Sequence, residues 1–351
     1  MIRQIYHFEL KGIPITYKSY GTGHINTTYL IETDAGVKYI LQWINKNVFK
    51  KPDTVMKNIA AITGYLLNYY DDPRRVLHLV PTKDGSLYYV DEDDETWRVY
   101  DYITNSFSLE QPETPEDFYE SGVAFGRFQK SLAGFDAELL TETIPRFHDT
   151  PNRFTQLKDA IDNNLSGRLG DVLSEIDLAM TYEEYGSKLM NLLADGILPL
   201  RVTHNDTKLN NVLFDKATRK PICIVDFDTV MPGLIAYDFG DAIRTGASTA
   251  MEDERDLSKV GLSLPMFKAF TRGFVESSDL TDAELENLCD GAKMMTLENA
   301  VRFLADHLNG DIYFKIERSG QNLDRARTQF KLIKDMEVKW DEMQEIINKY
   351  K

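Results

Sequence analysis

Between Thr203 and Thr229 the chain reads THNDTKLNNVLFDKATRKPICIVDFDT. Asp206 stands two residues after His204, Asn211 five after Asp206, and Asp226 closes the apolar run Ile222 to Val225. A loop carboxylate, an amide and a second carboxylate are the types that phosphoryl transfer to a hydroxyl asks for. Asp206 can accept the hydroxyl's proton, while Asn211 and Asp226 supply hard oxygen ligands for Mg²⁺ carried on nucleotide phosphates. Lys208, inside the same loop, is the candidate for offsetting charge on the transferring group. Any one of these residues taken singly also suits an ordinary turn. Their joint spacing, with an apolar strand on each side, favours the chemistry.

The positioning elements follow from the hydrophobic pattern. Arg201 to Thr203 reads as a strand, followed by a polar loop, a strand from Asn211 to Phe214, a turn, and a strand from Pro221 to Val225. Adjacent hairpin arms would bring Asp206, Asn211 and Asp226 into one small volume. The protein-kinase catalytic loop, H-R-D-x-x-x-x-N followed downstream by D-F-G, has this arrangement. Here the roles fall on His204-Asn205-Asp206, Asn211 and Asp226-Phe227-Asp228, with Asp228 in the place of glycine.

Upstream, Ile15 to Tyr20, Thr28 to Glu32 and Lys38 to Trp43 read as short strands. Gly21-Thr22-Gly23-His24-Ile25-Asn26 lies between the first two, a glycine turn whose backbone N–H groups can approach phosphates. Asn26 replaces the third glycine of a G-x-G-x-x-G pattern. Gln42 occupies the position of the protein-kinase V-A-I-K lysine, and the helix predicted from Asp53 to Tyr70 contains no glutamate. The Lys–Glu ion pair of protein kinases therefore cannot form there, and the phosphates must be held otherwise. Leu77 to Pro81 and Leu87 to Val90 are expected to form a hairpin, and Asp91 to Glu95 a solvated acidic turn. The strand Trp97 to Ile103 leads to a polar hinge at Thr104-Asn105-Ser106. By analogy with kinases, backbone near Asp101 to Ile103, with Tyr102 and Ile103, would face an adenine.

Beyond Thr114-Pro115-Glu116-Asp117, a strong helix start, the chain is mainly helical. Helices are predicted from Arg153 to about Asn164, from Tyr182 to Ala194, and from the Thr281 capping box to about Leu308. Asp324 to Tyr350 reads as an amphipathic closing helix. His148 reads as a surface or cap residue. Arg302, four residues from both Glu298 and Asp306, reads as a surface ion-pairing residue.

A chain of 351 residues can bury a sizeable core in two lobes. Its net charge of −16 opposes a general affinity for nucleic acid or anionic membrane. There is no apolar stretch long enough to span a bilayer and no secretory signal, and Cys223 and Cys289 suit buried thiols in a reducing compartment. The expectation is a cytoplasmic monomer acting on small molecules.

The segments GTGHINTTY, YILQWIN, HNDTKLNNVLFD, IVDFDTVMPG and YDFGDAIR together resemble the aminoglycoside phosphotransferase and choline kinase superfamily, and more closely its N-acetylhexosamine 1-kinases. The resemblance implies an α+β, protein-kinase-like two-lobed fold. Residues 1–103 would form a small β-rich nucleotide-binding lobe, and residues 104–351 a larger, mainly helical catalytic and acceptor-binding lobe. It implies ATP as co-substrate with Mg²⁺, and transfer to the anomeric hydroxyl of N-acetylglucosamine or N-acetylgalactosamine. Gly21, Gly23, Asn26, Gln42, Tyr102 and Ile103 would then surround the nucleotide. His24, Asp206, Tyr237 and Arg302 would contact the sugar, and Asp238 would brace the catalytic loop. The alternatives are a kinase of the same fold for an aminoglycoside, choline or another alcohol, and a non-catalytic binding module, which the missing lysine and glutamate would suit.

Overall fold

The computed structural model describes residues 2–21 and 25–351. The chain forms two compact units. One comprises Met1–Phe107, Glu138–Pro145 and Leu213–Met231, the other Ser108–Ala137, Arg146–Val212 and Pro232–Lys351.

The first unit is built on an antiparallel sheet. Its strands are β1 (Pro14–Ser19), β2 (Thr27–Thr33), β3 (Lys38–Ile44), β4 (Leu79–Val80), β5 (Tyr89–Val90) and β6 (Thr96–Asp101). The order is β1-β2-β3-β6-β4, with β5 also on β6. Alternate residues of these strands point to one face, where Ile31, Tyr39, Leu41, Val80 and Val99 close a core with Ile5 and Phe8. Each such buried side chain contributes about 1.5–3 kcal/mol relative to exposure. Helix α1 (Pro52–Tyr69) starts with proline in its first turn and buries Val55, Met56, Ile59, Ile62 and Leu66, a helical period. The expected hairpin between β4 and β5 does not form. Both segments pair with β6 instead, Leu79 and Val80 opposite Tyr100 and Val99, Tyr89 and Val90 opposite Trp97 and Thr96. The intervening turn closes on itself through the Thr82 hydroxyl and the Ser86 carbonyl, so the two short strands follow one another along a single edge.

A second sheet in this unit has the order β10-β9-β7, from β7 (Ser106–Phe107), β9 (Val212–Asp215) and β10 (Pro221–Ile224). Asp215 caps the β9–β10 turn through the backbone N–H groups of Ala217 and Thr218.

The second unit is helical. Its elements are α2 (Pro115–Ser131), α3 (Thr150–Asn163), α4 (Leu173–Thr181), α5 (Lys188–Ala194), α6 (Ile235–Gly246), α7 (Leu264–Ser277), α8 (Asp282–Glu286), α9 (Leu288–Asn309), α10 (Gln321–Val338) and α11 (Trp340–Ile347), with short strands β8 (Arg201–Thr203) and β11 (Met231–Gly233). Thr114 and Asp117 make the reciprocal capping box that starts α2. The helix predicted from Tyr182 begins only at Lys188, after a 3₁₀ turn, and α4 precedes it. The capping box at Thr281 opens only the short α8. The chain leaves helical geometry at Asn287 and α9 starts afresh. Helix α9 is buried almost all round, as a helix at the centre of its unit must be. Its apolar side chains pack with Phe154, Leu157, Ile176, Phe330 and Ile333 from α3, α4 and α10. Among the described residues no helix is long and apolar enough to cross a membrane.

Candidate active site

In the second unit β8 delivers the chain to a loop from His204 to Lys208 that is fixed mainly by α6. Asp238, fully buried in the first turn of α6, accepts the backbone N–H of His204 at 2.9 Å and of Asn205 at 2.8 Å. Gln129 of α2 donates to the same carboxylate at 2.6 Å. Burial pushes the Asp238 carboxyl above its ordinary range, against His204 and these three donors. Thr207 donates its hydroxyl to the Asp238 carbonyl at 2.6 Å and its N–H to Asp241 at 3.1 Å. Asp241 is in turn held by Arg244, which also reaches Glu252. Asn205 adopts a left-handed backbone, φ 63°, a conformation asparagine tolerates better than most residues. The loop can therefore turn sharply before Asp206.

At its turn the loop gathers three of the residues singled out by sequence. Lys208 Nζ lies 2.9 Å from Asp206 Oδ1. Asn211 closes a 3₁₀ turn, Leu209–Asn211, and its Nδ2 donates to the Asp206 carbonyl at 2.8 Å and to Asp206 Oδ2 at 3.2 Å. Both contacts are made through Nδ2. Burial pushes the Asp206 carboxyl up, but Lys208, with His204 and Asn211, outweighs it and holds the group below its ordinary value. The Asp206 carboxylate in turn holds the Lys208 ammonium charged well above the usual lysine range.

A second cluster in the same unit joins Tyr237 to Arg302. The Tyr237 ring lies 5.2 Å from that of His148. Nδ1 of His148 is 2.9 Å from Glu298 Oε1, and its Nε2 faces the Asn205 carbonyl at 3.4 Å. Glu298, with 0% of its side chain exposed, also accepts from the Thr150 hydroxyl and lies 3.7 Å from Arg302. His148 is thus an interior residue that ties α9 to the His204–Lys208 loop, not the surface or cap residue expected. Arg302 is also no surface residue: its guanidinium lies over the rings of Phe147, Tyr313 and Phe314 at 5.3–5.7 Å. Asp306 does not pair with it but accepts the backbone N–H groups of Ile312, Tyr313 and Phe314. Arg302 lines a cavity of about 390 Å³ with Arg153, Asp159, Tyr313 and Phe314.

In the first unit the half-buried Asn26 and Gln42 join a network around two buried residues, Arg98 and Asp228. Arg98 of β6, opposite Gln42 in register, donates from Nε to Gln42 Oε1 at 2.9 Å and pairs through Nη1 with Asp228 Oδ1. Asn26 donates to the other Asp228 oxygen, and its own Oδ1 accepts the Asn45 N–H at 3.0 Å. Asp226, two residues before Asp228, has a left-handed backbone, φ 66° and ψ 66°, at the exit of β10.

The family model described as "Phosphotransferase enzyme family" matches residues 16–259, more than half of the chain. The chain belongs to this phosphotransferase family. Solved structures agree on its fold. A microcompartment-associated aminopropanol kinase is 18% identical with a TM-score of 0.65 over 97% of each chain. An amicoumacin kinase in complex with AMP-PNP, Ca²⁺ and its ligand is 14% identical, TM-score 0.63, covering 93% of this chain and 90% of its own. Plasmodium vivax ethanolamine kinase is 13% identical, TM-score 0.55, covering 90% and 82%. The phosphotransferase thus has the kinase-like α+β fold, an N-terminal β-sheet region with a larger helical C-terminal part, 50% helix and 14% strand.

Of the remaining residues singled out in the phosphotransferase sequence, Gly21 is exposed with φ +77°. Gly23 and His24 lie outside the described residues. The Tyr102 N–H donates to the Lys38 carbonyl at 3.2 Å, and the Ile103 carbonyl accepts the Ser106 hydroxyl at 2.6 Å. The sequence reading gave Arg98 no role and did not place His148 and Glu298 in the interior, where both lie. For Arg98 the signal was available, a guanidinium between Trp97 and Val99 in a strand, directly across from Gln42.

Proposed function

We propose that this phosphotransferase uses ATP and Mg²⁺ to phosphorylate the anomeric hydroxyl of an N-acetylhexosamine, giving the sugar 1-phosphate. The observation that carries the reading is the Asp206 carboxylate, presented on a braced loop and kept ionised by Lys208. Asp206 orients the acceptor hydroxyl and takes its proton. In a loose transition state that transfer comes late, so positioning counts first. An anomeric hydroxyl is more acidic than an ordinary alcohol, so a carboxylate with a low pKa is an adequate base. Lys208, whose side chain remains 45% exposed, can turn toward the transferring group.

Among the described residues no cluster of three or more His, Cys, Asp or Glu has metal-binding geometry. A lean set of one carboxylate and one amide oxygen suits an ion that arrives already bound to phosphates and water. Asn211 and Asp226 are the proposed ligands, since they precede and follow the same β9–β10 hairpin. Mg²⁺ there would offset charge on the phosphates.

Tyr237 and Arg302 are the proposed sugar contacts, with His24 as a further one. The cavity beside Arg302 carries two guanidinium groups, the carboxylates of Asp159 and Asp306, and two aromatic rings. The guanidinium and carboxylate groups together can pair with the hydroxyls and amide of a neutral sugar, while the acids and rings also suit a cationic amine. A kinase of amino alcohols, aminoglycosides or choline is the second reading, favoured by the names of similar structures such as the aminopropanol and ethanolamine kinases. Incubation with Mg·ATP and a panel of N-acetylglucosamine, N-acetylgalactosamine, choline, ethanolamine and kanamycin, read by ³¹P and ¹³C NMR, separates them. Phosphate on carbon 1 of a sugar is expected. Phosphate only on an amino alcohol or aminoglycoside would replace the acceptor assignment, and no transfer to any of the panel would count against the kinase reading itself.

A further inference from the structure

Three positions depart from the protein-kinase pattern: Asn26 at the third glycine, Gln42 at the strand lysine and Asp228 at the glycine after Asp-Phe. One guanidinium connects them. Arg98 donates to Gln42 and pairs with Asp228, and Asn26 donates to that same aspartate. The substitutions are therefore one set, organised around a cation that has moved one strand over, from β3 to β6.

Arg98 has 0% of its surface exposed and Asp228 only 3%. A buried ion pair of this kind loses several kcal/mol of hydration per ion, and its attraction repays this only where the remaining donors are also satisfied. They are not. Nη2 of Arg98 has no hydrogen-bond partner among the described residues. Its nearby groups include the Met56 sulfur, 4.0 Å from Nη1, and the Tyr100 ring, 5.2 Å from the guanidinium carbon. Apolar residues would fill this space at lower cost if packing were the purpose. An orphan donor on a buried cation calls for an explanation, and a charged acceptor is the partner that would satisfy it best.

We propose that Arg98 is the nucleotide-binding cation of the first unit, donating through Nη2 to a phosphate oxygen in place of the missing strand lysine. Gln42 and Asp228 hold the other edge of the guanidinium, and Asn26 holds Asp228. The inference rests on the nucleotide-dependent phosphotransferase reading and deepens it. It also explains why Gln42 need not be charged: its carbonyl orients the arginine that is.

Calorimetric titration of the full chain with Mg·AMP-PNP tests this. Arg98→Met/Asp228→Asn removes both charges, so neither is left buried alone. It should bind the nucleotide about 10–100-fold more weakly, the loss of one hydrogen bond to a charged group, and raise KM for ATP with the acceptor KM unchanged. Arg98→Met/Gln42→Lys returns the charge to β3 and should recover affinity to within about threefold of wild type. If the first variant does not fold, the second carries the test alone: recovered affinity supports the proposal, and a folded protein without binding overturns it. Wild-type affinity in a folded Arg98→Met/Asp228→Asn protein would overturn the proposal while leaving the kinase reading intact. A wild-type chain that binds no Mg·AMP-PNP would overturn both.

Discussion

Lys208 Nζ sits 2.9 Å from Asp206 Oδ1, and this contact sets the protonation of the proposed base. Burial alone would raise the Asp206 pKa; the ammonium reverses the sign. Lys208→Met should therefore let the carboxyl titrate upward, and the acid limb of the kcat/KM profile should move to higher pH. A bell-shaped profile measured from about pH 4 to 9 reads this directly. An acid limb that stays in place would separate Lys208 from the base.

The loop around Asp206 depends on Asp238, whose carboxylate collects two backbone N–H groups and the Gln129 amide. Asp238→Ala would strand these buried donors and should cost about 3–5 kcal/mol of stability by urea unfolding. A loss under about 1 kcal/mol would mean the loop is held by other contacts.

The route from sequence to this site was legible wherever local spacing carried the information. His204 to Asn211 and the β9–β10 hairpin could be read because each contact spans a few residues. So could the brace from Asp238, through the resemblance. What escaped reading was long-range. Arg98 meets Asp228 across 130 residues and His148 meets Glu298 across 150. No periodicity links such pairs, and only the fold does. The β4 and β5 segments were seen as strands, but their partner depends on which edge of β6 is free, a fact of sheet order and not of turn residues. Helix α8 ends early although its capping box is intact, because a cap specifies a start and not a length.

Glu298 is held below its ordinary carboxylate range: burial raises it, but His148 and Arg302 lower it further. A depressed folded pKa contributes stability above the unfolded pKa, near 4.3, and that contribution is lost as pH falls through the folded value. Urea midpoints taken between about pH 6 and 3 should thus fall more steeply for wild type than for Glu298→Gln. Parallel slopes would contradict the pairing. In the same cluster Arg302→Ala should raise KM for the sugar more than for ATP; the reverse order would remove Arg302 from the acceptor side.

Gly240 of α6 packs against Gly291 of α9 so closely that a Cβ on either would strike the other helix's backbone, the Gly291 carbonyl in one case and the Ala236 carbonyl in the other. Backbone cannot yield as a side chain would. Gly240→Ala should destabilise by about 2–3 kcal/mol and, because Asp238 and Asp241 ride on α6, lower kcat as well. Unchanged thermal unfolding would show that the two helices separate without cost.

The central claim is that Asp206 positions and deprotonates the acceptor hydroxyl. Steady-state turnover of N-acetylglucosamine by Asp206→Asn, set beside its affinity for Mg·AMP-PNP, tests this most directly. The variant should lose about 10²–10⁴-fold in kcat while binding the nucleotide as wild type does. A folded Asp206→Asn protein that turns over at the wild-type rate would contradict it.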